Sequence, residues 1–263
     1  MKLKSLFSLE KKIVLITGGA GYLGTSMSEA LAEAGAIVII ASRSEKRCKA
    51  LAEKLDKLYN TNCRGFLLDV TSQDCIKKVV ESIIQEFGRI DILVNNASFS
   101  DPAKIEDMSC EQWINGMEGT INSVFRVSHV VIPRMITQRQ GNIINISSMY
   151  GVVSPDPRIY GTSTFSNPAN YSIGKAAILH FTRYYAVHLA PYGIRVNAIS
   201  PGPFPHRKIQ SEKWFMQNLS NKVPLGRIGQ PDELKGAIIY LASSASSYVT
   251  GHNLVVDGGW TIW

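Results

Sequence analysis

Tyr171 and Lys175 stand four positions apart, in a stretch whose apolar spacing predicts a helix. At about 100° per residue, side chains four positions apart lie on the same helix face. An ammonium group beside a phenol favours the phenolate, so the spacing predicts that Lys175 lowers the pKa of Tyr171 toward a range useful for proton transfer. Such a pair can give a proton to a carbonyl oxygen or take one from an alcohol. An exposed aromatic ring beside a solvated lysine would have the same spacing.

The elements that must position this pair follow a repeated strand–helix order. The predicted strands are short runs rich in β-branched residues: Ile13–Thr17, Ile37–Ala41, Gly65–Leu68, Ile92–Asn95, Asn142–Ile146, Arg195–Ile199 and Leu254–Val256. The predicted helices are longer amphipathic runs: Thr25–Ala34, Glu45–Leu58, Ser72–Phe87, Trp113–Thr137, Tyr171–Leu189 and Asp232–Ala242. This order predicts a single α/β domain over residues 1–263, with a doubly wound, parallel, seven-stranded sheet and helices on both faces.

The composition favours a globular chain and excludes several other classes. Of 263 residues, 45% are hydrophobic and 19% are charged, which is enough for a full core and does not indicate disorder. No apolar run approaches the roughly 20 residues of a membrane-spanning helix, and the basic start Met1-Lys2-Leu3-Lys4 does not lead into the apolar core of a secretory signal. We therefore expect a cytoplasmic protein with no membrane partner.

The charge pattern also excludes some partners. The formal net charge is +7, but Lys and Arg are scattered and mostly alternate with Glu or Asp. This pattern indicates a solvated basic surface that suits an anionic substrate better than a nucleic acid. The four cysteines show no Cys-x-x-Cys spacing and no nearby histidine pattern, so we expect neither a metal site nor a disulfide.

A glycine-rich turn follows the first predicted strand. Gly18, Gly21 and Gly24 lie there, with Tyr22 and Leu23 between the last two. Glycines allow a tight turn and let the backbone approach a pyrophosphate at the N-terminus of the next helix. Because the turn follows the first strand of a strand–helix–strand unit, we predict that these five residues bind a dinucleotide.

The end of the second predicted strand indicates which dinucleotide is bound. Units that bind NAD usually carry an acidic residue there for the ribose hydroxyls, whereas an arginine suits a 2′-phosphate. This chain has Ser42 followed by Arg43, and a guanidinium forms charge-assisted hydrogen bonds to phosphate. We therefore predict NADP(H) over NAD(H), although Arg43 could also be an ordinary surface charge at the start of a helix.

A series of motifs in order and spacing carries a wider resemblance. The motifs are Thr17-Gly18…Gly24, Asp69-Val70, Asn95-Asn96-Ala97-Ser98, Ile144-Asn145-Ile146-Ser147-Ser148, Tyr171…Lys175, Ser200-Pro201-Gly202 and Gly251-His252-Asn253-Leu254-Val255-Val256-Asp257-Gly258-Gly259. With them the whole chain resembles a short-chain dehydrogenase/reductase of the single-domain branch. The resemblance implies a Rossmann-type fold and hydride transfer between a nicotinamide and a secondary alcohol or ketone.

The resemblance also implies roles for individual residues. Tyr171 would be the general acid/base, and Lys175 would bind the nicotinamide ribose while lowering the pKa of the tyrosine. Ser148 would hydrogen-bond the substrate oxygen. The remaining positions implied for the cofactor are Asp69 and Val70 at the adenine, Asn95, Ala97 and Ser98 in the cleft, and Pro201 and Gly202 beside the nicotinamide.

Two single residues depart from the family pattern. Tyr22 stands where the single-domain branch more often has a glycine. Thr120 stands where the family usually has an asparagine that holds a water of the proton relay, and Asn122 lies about 200° further around a regular helix. Thr120 could bind this water through its hydroxyl, or it could mark an impaired member. Because Ser148, Tyr171 and Lys175 are all retained, we expect an active enzyme in which Thr120 takes part in catalysis.

A third departure is the length between two catalytic positions. Ser148 and Tyr171 are 23 positions apart, further than is usual in the family, because of an inserted loop at 154–170. The segment 201–223, which also follows a strand, is predicted to be a second long loop at the same sheet edge. Both loops are expected at the mouth of the site. The polar and charged positions of the insertion, which favour a polyhydroxylated or anionic substrate, are Asp156, Arg158, Tyr160, Thr162, Ser163, Thr164, Ser166 and Asn167.

These observations leave three hypotheses for function. The first is an NAD(P)-dependent oxidoreductase acting on a sugar, sugar phosphate or nucleotide-linked sugar; the stretch from Met149 to the inserted loop resembles oxidoreductases of bacterial surface-glycan and flagellin modification. The second is a 3-oxoacyl thioester reductase, and the third is a nucleotide-binding sensor or scaffold with impaired catalysis. The resemblance further implies a homotetramer or homodimer, and we expect the aromatic tail Trp260–Trp263 to pack at a subunit interface.

Overall fold

A computed structural model describes residues 2–161 and 166–263, so Thr162, Ser163 and Thr164 of the predicted loop lie outside the described residues. The strands are β1 (Ile13–Thr17), β2 (Ile37–Ser42), β3 (Arg64–Leu67), β4 (Ile92–Asn95), β5 (Gly141–Ile146), β6 (Ile194–Pro201) and β7 (Asn253–Val256). The helices are α1 (Leu3–Leu6), α2 (Tyr22–Glu33), α3 (Glu45–Tyr59), α4 (Gln73–Phe87), α5 (Cys110–Met117), α6 (Ser123–Gln138), α7 (Ala169–Leu189), α8 (Lys213–Lys222) and α9 (Lys235–Ala242). Within these ranges, no helix is both long enough and apolar enough to cross a membrane.

The seven strands form one parallel sheet in the order β3-β2-β1-β4-β5-β6-β7. The order reverses between β1 and β4, which is where doubly wound sheets bind ligands. The strands β1, β4 and β5 are buried along their whole length, as their nearly continuous apolar sequences require of strands covered on both faces. The predicted α/β fold class is confirmed.

Alternate side chains of one strand build two hydrophobic layers. In β1, Val14 and Ile16 point into the layer formed with α2, α3 and α9. Ile13 and Leu15 point into the opposite layer, formed with α4, α6 and α7. The glycine turn before α2 and the N-terminal half of α7 therefore belong to opposite faces and meet only at the edge where the strands end.

The predicted helix from Trp113 to Thr137 is not regular. A π-helical segment, Glu118–Asn122, separates α5 from α6. At this point the Gly119 carbonyl accepts a hydrogen bond from the Phe99 N–H at 3.1 Å, outside the helix. A helix that takes an extra residue into one turn commonly does so where a backbone group binds elsewhere.

The prediction of a loop over 201–223 is wrong for its second half. Residues Lys213–Lys222 form α8, whose buried side chains are Phe215 and Leu219. Of its four apolar residues, Trp214, Phe215, Met216 and Leu219, only Phe215 and Leu219 are buried, so the apolar face of this short helix is narrow and its periodicity is weak.

The π-helical segment lies directly against α7. Thr120 is 1% exposed, and a Cβ added at Gly174 would lie 2.0 Å from the Thr120 Oγ1. Gly174 is therefore the residue that lets the two helices approach, one position before Lys175.

We expect Gly174→Ala to destabilise the protein by about 1–3 kcal/mol, because the added methyl group overpacks this contact. Gly236→Ala in α9 is the matched control, since a Cβ there would meet nothing within 4 Å. Alanine is the better helix former, so the control should be neutral or more stable by up to about 1 kcal/mol. Urea unfolding followed by circular dichroism measures both variants. Equal stability of the two variants would contradict the proposed close contact.

Candidate active site

The ends of β5 and the start of α7 bring the predicted catalytic side chains together. Ser148 follows β5 in an extended conformation, and its hydroxyl hydrogen-bonds the Tyr171 phenol. The Lys175 ammonium lies 5.5 Å from the centroid of the Tyr171 ring and donates to the Ile146 carbonyl at 2.8 Å. The serine, tyrosine and lysine therefore form one cluster at the carboxyl edge of the sheet.

The electrostatics of this cluster differ from the sequence prediction. Lys175 is 3% exposed, and burial lowers its pKa to about 8. Burial also raises the pKa of the Tyr171 phenol, and the hydrogen bond from Ser148 offsets only part of this rise. The prediction that Lys175 lowers the pKa of Tyr171 below its ordinary value is thus wrong for this arrangement. The ammonium lies against the ring, and loss of water around the phenolate is the larger effect.

A neutral phenol is a proton donor, so the site as described is arranged to protonate an oxygen. Ser148 Oγ is fixed from the other side, because it accepts the Tyr150 N–H at 3.1 Å. Ser147 fixes α7 to β5 by donating to the Lys175 carbonyl at 2.8 Å. These bonds hold the serine and tyrosine oxygens at one point above β5.

Thr120 lies behind this cluster and not in it. Its hydroxyl donates to the Gly116 carbonyl at 2.7 Å, so it has only acceptor capacity left for a water. Asn122 donates to the Glu118 carboxylate at 2.6 Å, on the side where Glu118 pairs with Arg126. In the described residues Thr120 is a packing residue between the π-helical segment and α7, and its catalytic role stays a prediction.

A cleft of about 310 Å³ opens beside the glycine turn. Ten of the residues predicted to bind the cofactor line it: Gly18, Gly21, Tyr22, Leu23, Gly24, Ser42, Arg43, Val70, Ala97 and Ser98. Sequence reasoning missed three others: Leu68, Asn96 and Phe99. The sequence could have indicated two of these, because Leu68 directly precedes the Asp69-Val70 motif and Asn96 lies inside the Asn95-Asn96-Ala97 motif.

The glycine turn has the geometry that an anion site needs. Gly18 has φ +64°, and a Cβ at Gly24 would lie 2.2 Å from the Gly18 carbonyl oxygen. The Asn96 amide holds the turn by donating to the Thr17 and Gly18 carbonyls at 3.0 and 2.9 Å. Gly21 precedes α2 without a side-chain cap, which leaves the first N–H groups of the helix open to a ligand. These residues fit the pyrophosphate of a dinucleotide.

Two arginines stand at the rim of this cleft, beyond the end of β2. Arg43 is exposed, with its guanidinium carbon 5.5 Å from the centroid of the Phe99 ring. Arg47, which sequence reasoning did not identify, donates to the Ala20 carbonyl of the glycine turn at 2.5 Å. Arg43 lines the cleft and Arg47 contacts the turn beside it, so both place positive charge close to the glycine turn.

Three of the predicted cofactor residues are placed differently. The Asn95 side chain is 3% exposed and donates to Ser128 and Asn145 at 3.0 and 2.9 Å. It therefore faces a buried polar network and is not among the residues that line the cleft, so its contact with a dinucleotide stays a prediction. Pro201 and Gly202 lie at the end of β6, outside the lining of the cleft, so their place beside the nicotinamide stays a prediction.

Asp69 is adjacent to the cleft without lining it. Its carboxylate accepts the N–H and the hydroxyl of Thr71 at 2.9 and 2.7 Å, and these bonds lower its pKa. Its neighbours Leu68 and Val70 both line the cleft. The carboxylate thus shapes the turn after β3, and its contact with an adenine stays a prediction.

The inserted loop contributes buried aromatic residues as well as polar ones. Tyr160 is buried and stacks on Phe215 of α8 with ring centroids 5.6 Å apart. Its hydroxyl lies 3.2 Å from that of Tyr150, which is also buried and meets Trp260 edge-on at 6.3 Å. The Tyr171 ring packs against this cluster. An aromatic cluster of Tyr150, Tyr160, Phe215 and Trp260, with two phenol hydroxyls in it, therefore lies beside Tyr171.

The charged residues of the inserted loop also contact α8. Asp156 forms ion pairs with Arg158, at 2.8 Å, and with Lys222. The hydrogen bonds from Arg158 and Lys222 hold the pKa of Asp156 well below its usual range. The pair to Lys222 is the one that joins the insertion to the end of α8.

Comparison with known proteins gives the chain its family. A family model described as "Enoyl-(Acyl carrier protein) reductase" matches residues 19–261. The 3-oxoacyl-[acyl-carrier-protein] reductase FabG of Thermotoga maritima is 39% identical over 97% of this chain and 99% of its own length. The sorbose reductase SOU1 of Candida albicans is 36% identical over 97% of this chain and 89% of its own.

Solved structures agree with these relatives. A gluconate 5-dehydrogenase from Burkholderia cenocepacia in complex with NADP and tartrate is 32% identical, with a TM-score of 0.88 over 99% of both chains. A short chain dehydrogenase from Leptospira borgpetersenii with bound NAD+ is 36% identical, with a TM-score of 0.87 over 100% of this chain and 98% of its own. With the cluster of Ser148, Tyr171 and Lys175 beside a glycine-turn cleft, the chain belongs to the short-chain dehydrogenases/reductases, nicotinamide-dependent oxidoreductases that act on alcohol and ketone groups.

Proposed function

We propose that this protein is an NADP(H)-dependent reductase of a keto group on a sugar, sugar phosphate or nucleotide-linked sugar. The observation that carries the proposal is the Tyr171–Ser148 hydrogen bond, with the Tyr171 ring packed against an aromatic cluster in which the Tyr150 and Tyr160 hydroxyls are 3.2 Å apart. Phenol hydroxyls in the cluster beside the catalytic tyrosine suit a substrate that carries hydroxyl groups of its own. The sorbose reductase and the gluconate 5-dehydrogenase among the similar proteins give it further support.

In this mechanism the protein delivers a proton while the nicotinamide, when bound, supplies the hydride. The substrate carbonyl oxygen takes the place between Ser148 and Tyr171 and accepts hydrogen bonds from both. As the carbonyl carbon receives the hydride, the Tyr171 O–H bond breaks and its proton passes to the developing alkoxide, giving the alcohol. The Lys175 ammonium, held by the Ile146 carbonyl at the ring face, stabilises the phenolate that remains.

The preference for NADP(H) rests on the rim of the cleft. Arg43 and Arg47 lie beyond β2, and among the described residues no carboxylate lines the cleft to bind the ribose 2′-hydroxyl. A 2′-phosphate would receive charge-assisted hydrogen bonds there, whereas a free hydroxyl would find no acid partner.

A second candidate is a 3-oxoacyl thioester reductase. It is favoured by the similarity to the FabG of Thermotoga maritima, at 39% identity.

The test is a panel in which NADPH and NADH oxidation is followed with keto-sugars, keto-sugar phosphates, nucleotide-linked keto-sugars and acetoacetyl thioesters. We expect the highest kcat/KM with NADPH and a keto-sugar class. Faster turnover of acetoacetyl thioesters would select the second candidate. Cofactor binding without turnover of any carbonyl would favour the sensor or scaffold hypothesis.

The same panel includes Tyr171→Phe. Loss of the proton donor should lower kcat by about 10²–10⁴-fold while NADPH affinity stays within about twofold. Tyr248→Phe is the matched control, because this tyrosine is fully exposed and belongs to neither the catalytic cluster nor the proposed interface. Turnover retained in Tyr171→Phe would refute the acid role.

We expect ketone reduction to slow as the pH rises through about 8. Burial lowers the pKa of Lys175 to about 8, so the ammonium is charged below that pH and neutral above it. The Tyr171 phenol, whose pKa is raised, keeps its proton throughout this window. In a profile of log kcat/KM between about pH 7 and 10, the falling limb should vanish in Lys175→Met, whose rate is low at every pH. A flat wild-type profile would contradict the assignment.

We further propose that two or four copies assemble through exposed apolar side chains of α6 and α7. The side chains of Phe125, Tyr184 and Val187 are 46%, 56% and 72% exposed. Large apolar side chains that are exposed together often mark a surface that contacts another protein. The tail is partly internal, since Trp260 is buried, whereas Ile262 and Trp263 stay exposed and available to a partner.

Val187→Glu should therefore shift the protein to a smaller oligomer, because it places a charge in the apolar contact. Leu58→Glu in α3, at a position that is 56% exposed, is the control and should leave the mass unchanged. Sedimentation velocity measures both variants. A wild-type protein that sediments as a monomer would refute the assembly.

A further inference from the structure

Tyr22 lines the cleft beside the glycine turn and also contacts the segment 205–210, which follows β6. It is the first residue of α2, and its ring centroid lies 5.0 Å from that of His206, with the two planes at 54°. Its hydroxyl accepts a hydrogen bond from the Gln210 amide at 3.2 Å. The same amide donates to the Pro205 carbonyl at 2.9 Å, so Gln210 is fixed within its own segment.

The contact spans the centre of the sheet edge. Tyr22 follows β1 and His206 follows β6, and these strands stand three places apart, with β4 and β5 between them. At about 4.8 Å per strand, the strands themselves are separated by roughly 14 Å. A dinucleotide that reaches from the glycine turn to Tyr171, which lies above β5, would pass beneath this contact.

The His206 side of the contact is suited to an anion. His206, Arg207 and Lys208 are consecutive, and all three are exposed. The His206 Nδ1 accepts the Lys208 N–H at 3.4 Å, which leaves the Nε2–H as a donor. On the opposite side, the uncapped N-terminus of α2 presents its own N–H groups.

We infer that Tyr22, His206 and Gln210 form a clasp that retains the cofactor by closing over its pyrophosphate. The Tyr22 ring and hydroxyl hold the segment 205–210 in place, and the His206 Nε2–H donates to the pyrophosphate from the side opposite to α2. The aromatic side chain that departs from the glycine pattern thereby has a function in cofactor retention. This inference rests on the proposed dinucleotide binding.

The test measures binding and release without turnover. NADPH is displaced from the protein by excess NADP+ in a stopped-flow fluorimeter, and the dissociation rate is read from the loss of bound-NADPH fluorescence. Tyr22→Gly and His206→Ala should each raise this rate about tenfold, and the double variant should be no faster than either single variant, since both remove one contact. Tyr22→Phe keeps the ring and loses only the bond to Gln210, so we expect about a twofold rise. The fully exposed Tyr248 supplies the control Tyr248→Ala, with an unchanged rate.

A second probe locates the effect at the pyrophosphate. Adenosine 2′-monophosphate carries the adenosine end of NADPH without either phosphate of the pyrophosphate, so His206→Ala should weaken NADPH about tenfold and leave this probe unaffected. Equal weakening of both ligands, multiplicative rates in the double variant, or unchanged rates in folded single variants would each overturn the clasp. A wild-type protein that binds neither NADPH nor NADH would instead overturn the proposed function.

Discussion

The burial of the Lys175 ammonium is the constraint on which the rest of the site depends. An ammonium with 3% exposure is costly unless polar groups and an aromatic face replace its water. Here the Ile146 carbonyl, at 2.8 Å, and the Tyr171 ring supply them. The carbonyl belongs to the end of β5 and the ring to the first turn of α7, so the buried charge fixes the helix against the strand. The same arrangement sets the Tyr171 oxygen beside Ser148.

Small residues make this approach possible from two sides. Gly174 lets α7 contact Thr120 of the π-helical segment, and a Cβ at Gly151 would lie 2.8 Å from the Lys175 carbonyl. The helix therefore lies in a slot between the loop after β5 and the π-helical segment. A side chain at either glycine would move Tyr171 and Lys175 together, which is why their spacing alone does not guarantee a reactive geometry.

The sequence contained most of the fold and the centre of the site. All seven strands were predicted, and β1, β4 and β5 were the clearest because strands buried on both faces are continuous apolar runs. Ser148, Tyr171 and the glycine turn lie in motifs with fixed spacing. The sequence did not predict three features. The π-helical segment depends on the hydrogen bond from the Phe99 N–H, and the buried position of the Asn95 side chain depends on Ser128 and Asn145. The raised pKa of Tyr171 depends on how much water the folded chain excludes from the phenol. Each is a contact between distant positions, which periodicity does not encode.

The segment after β6 links the two halves of the active site. Its first part, through His206 and Gln210, contacts Tyr22 at the cofactor cleft. Its second part is α8, which carries Phe215 against Tyr160 and Lys222 against Asp156 of the inserted loop. One continuous stretch of chain therefore contacts both the cleft-lining Tyr22 and the inserted loop. Only two side chains of α8, Phe215 and Leu219, are buried. The position of this helix therefore also depends on contacts at its ends, such as the ion pair of Lys222 with Asp156. Tyr22 and the insertion before α7 are separate departures from the family pattern in the sequence. In the folded chain both contact the continuous segment that follows β6.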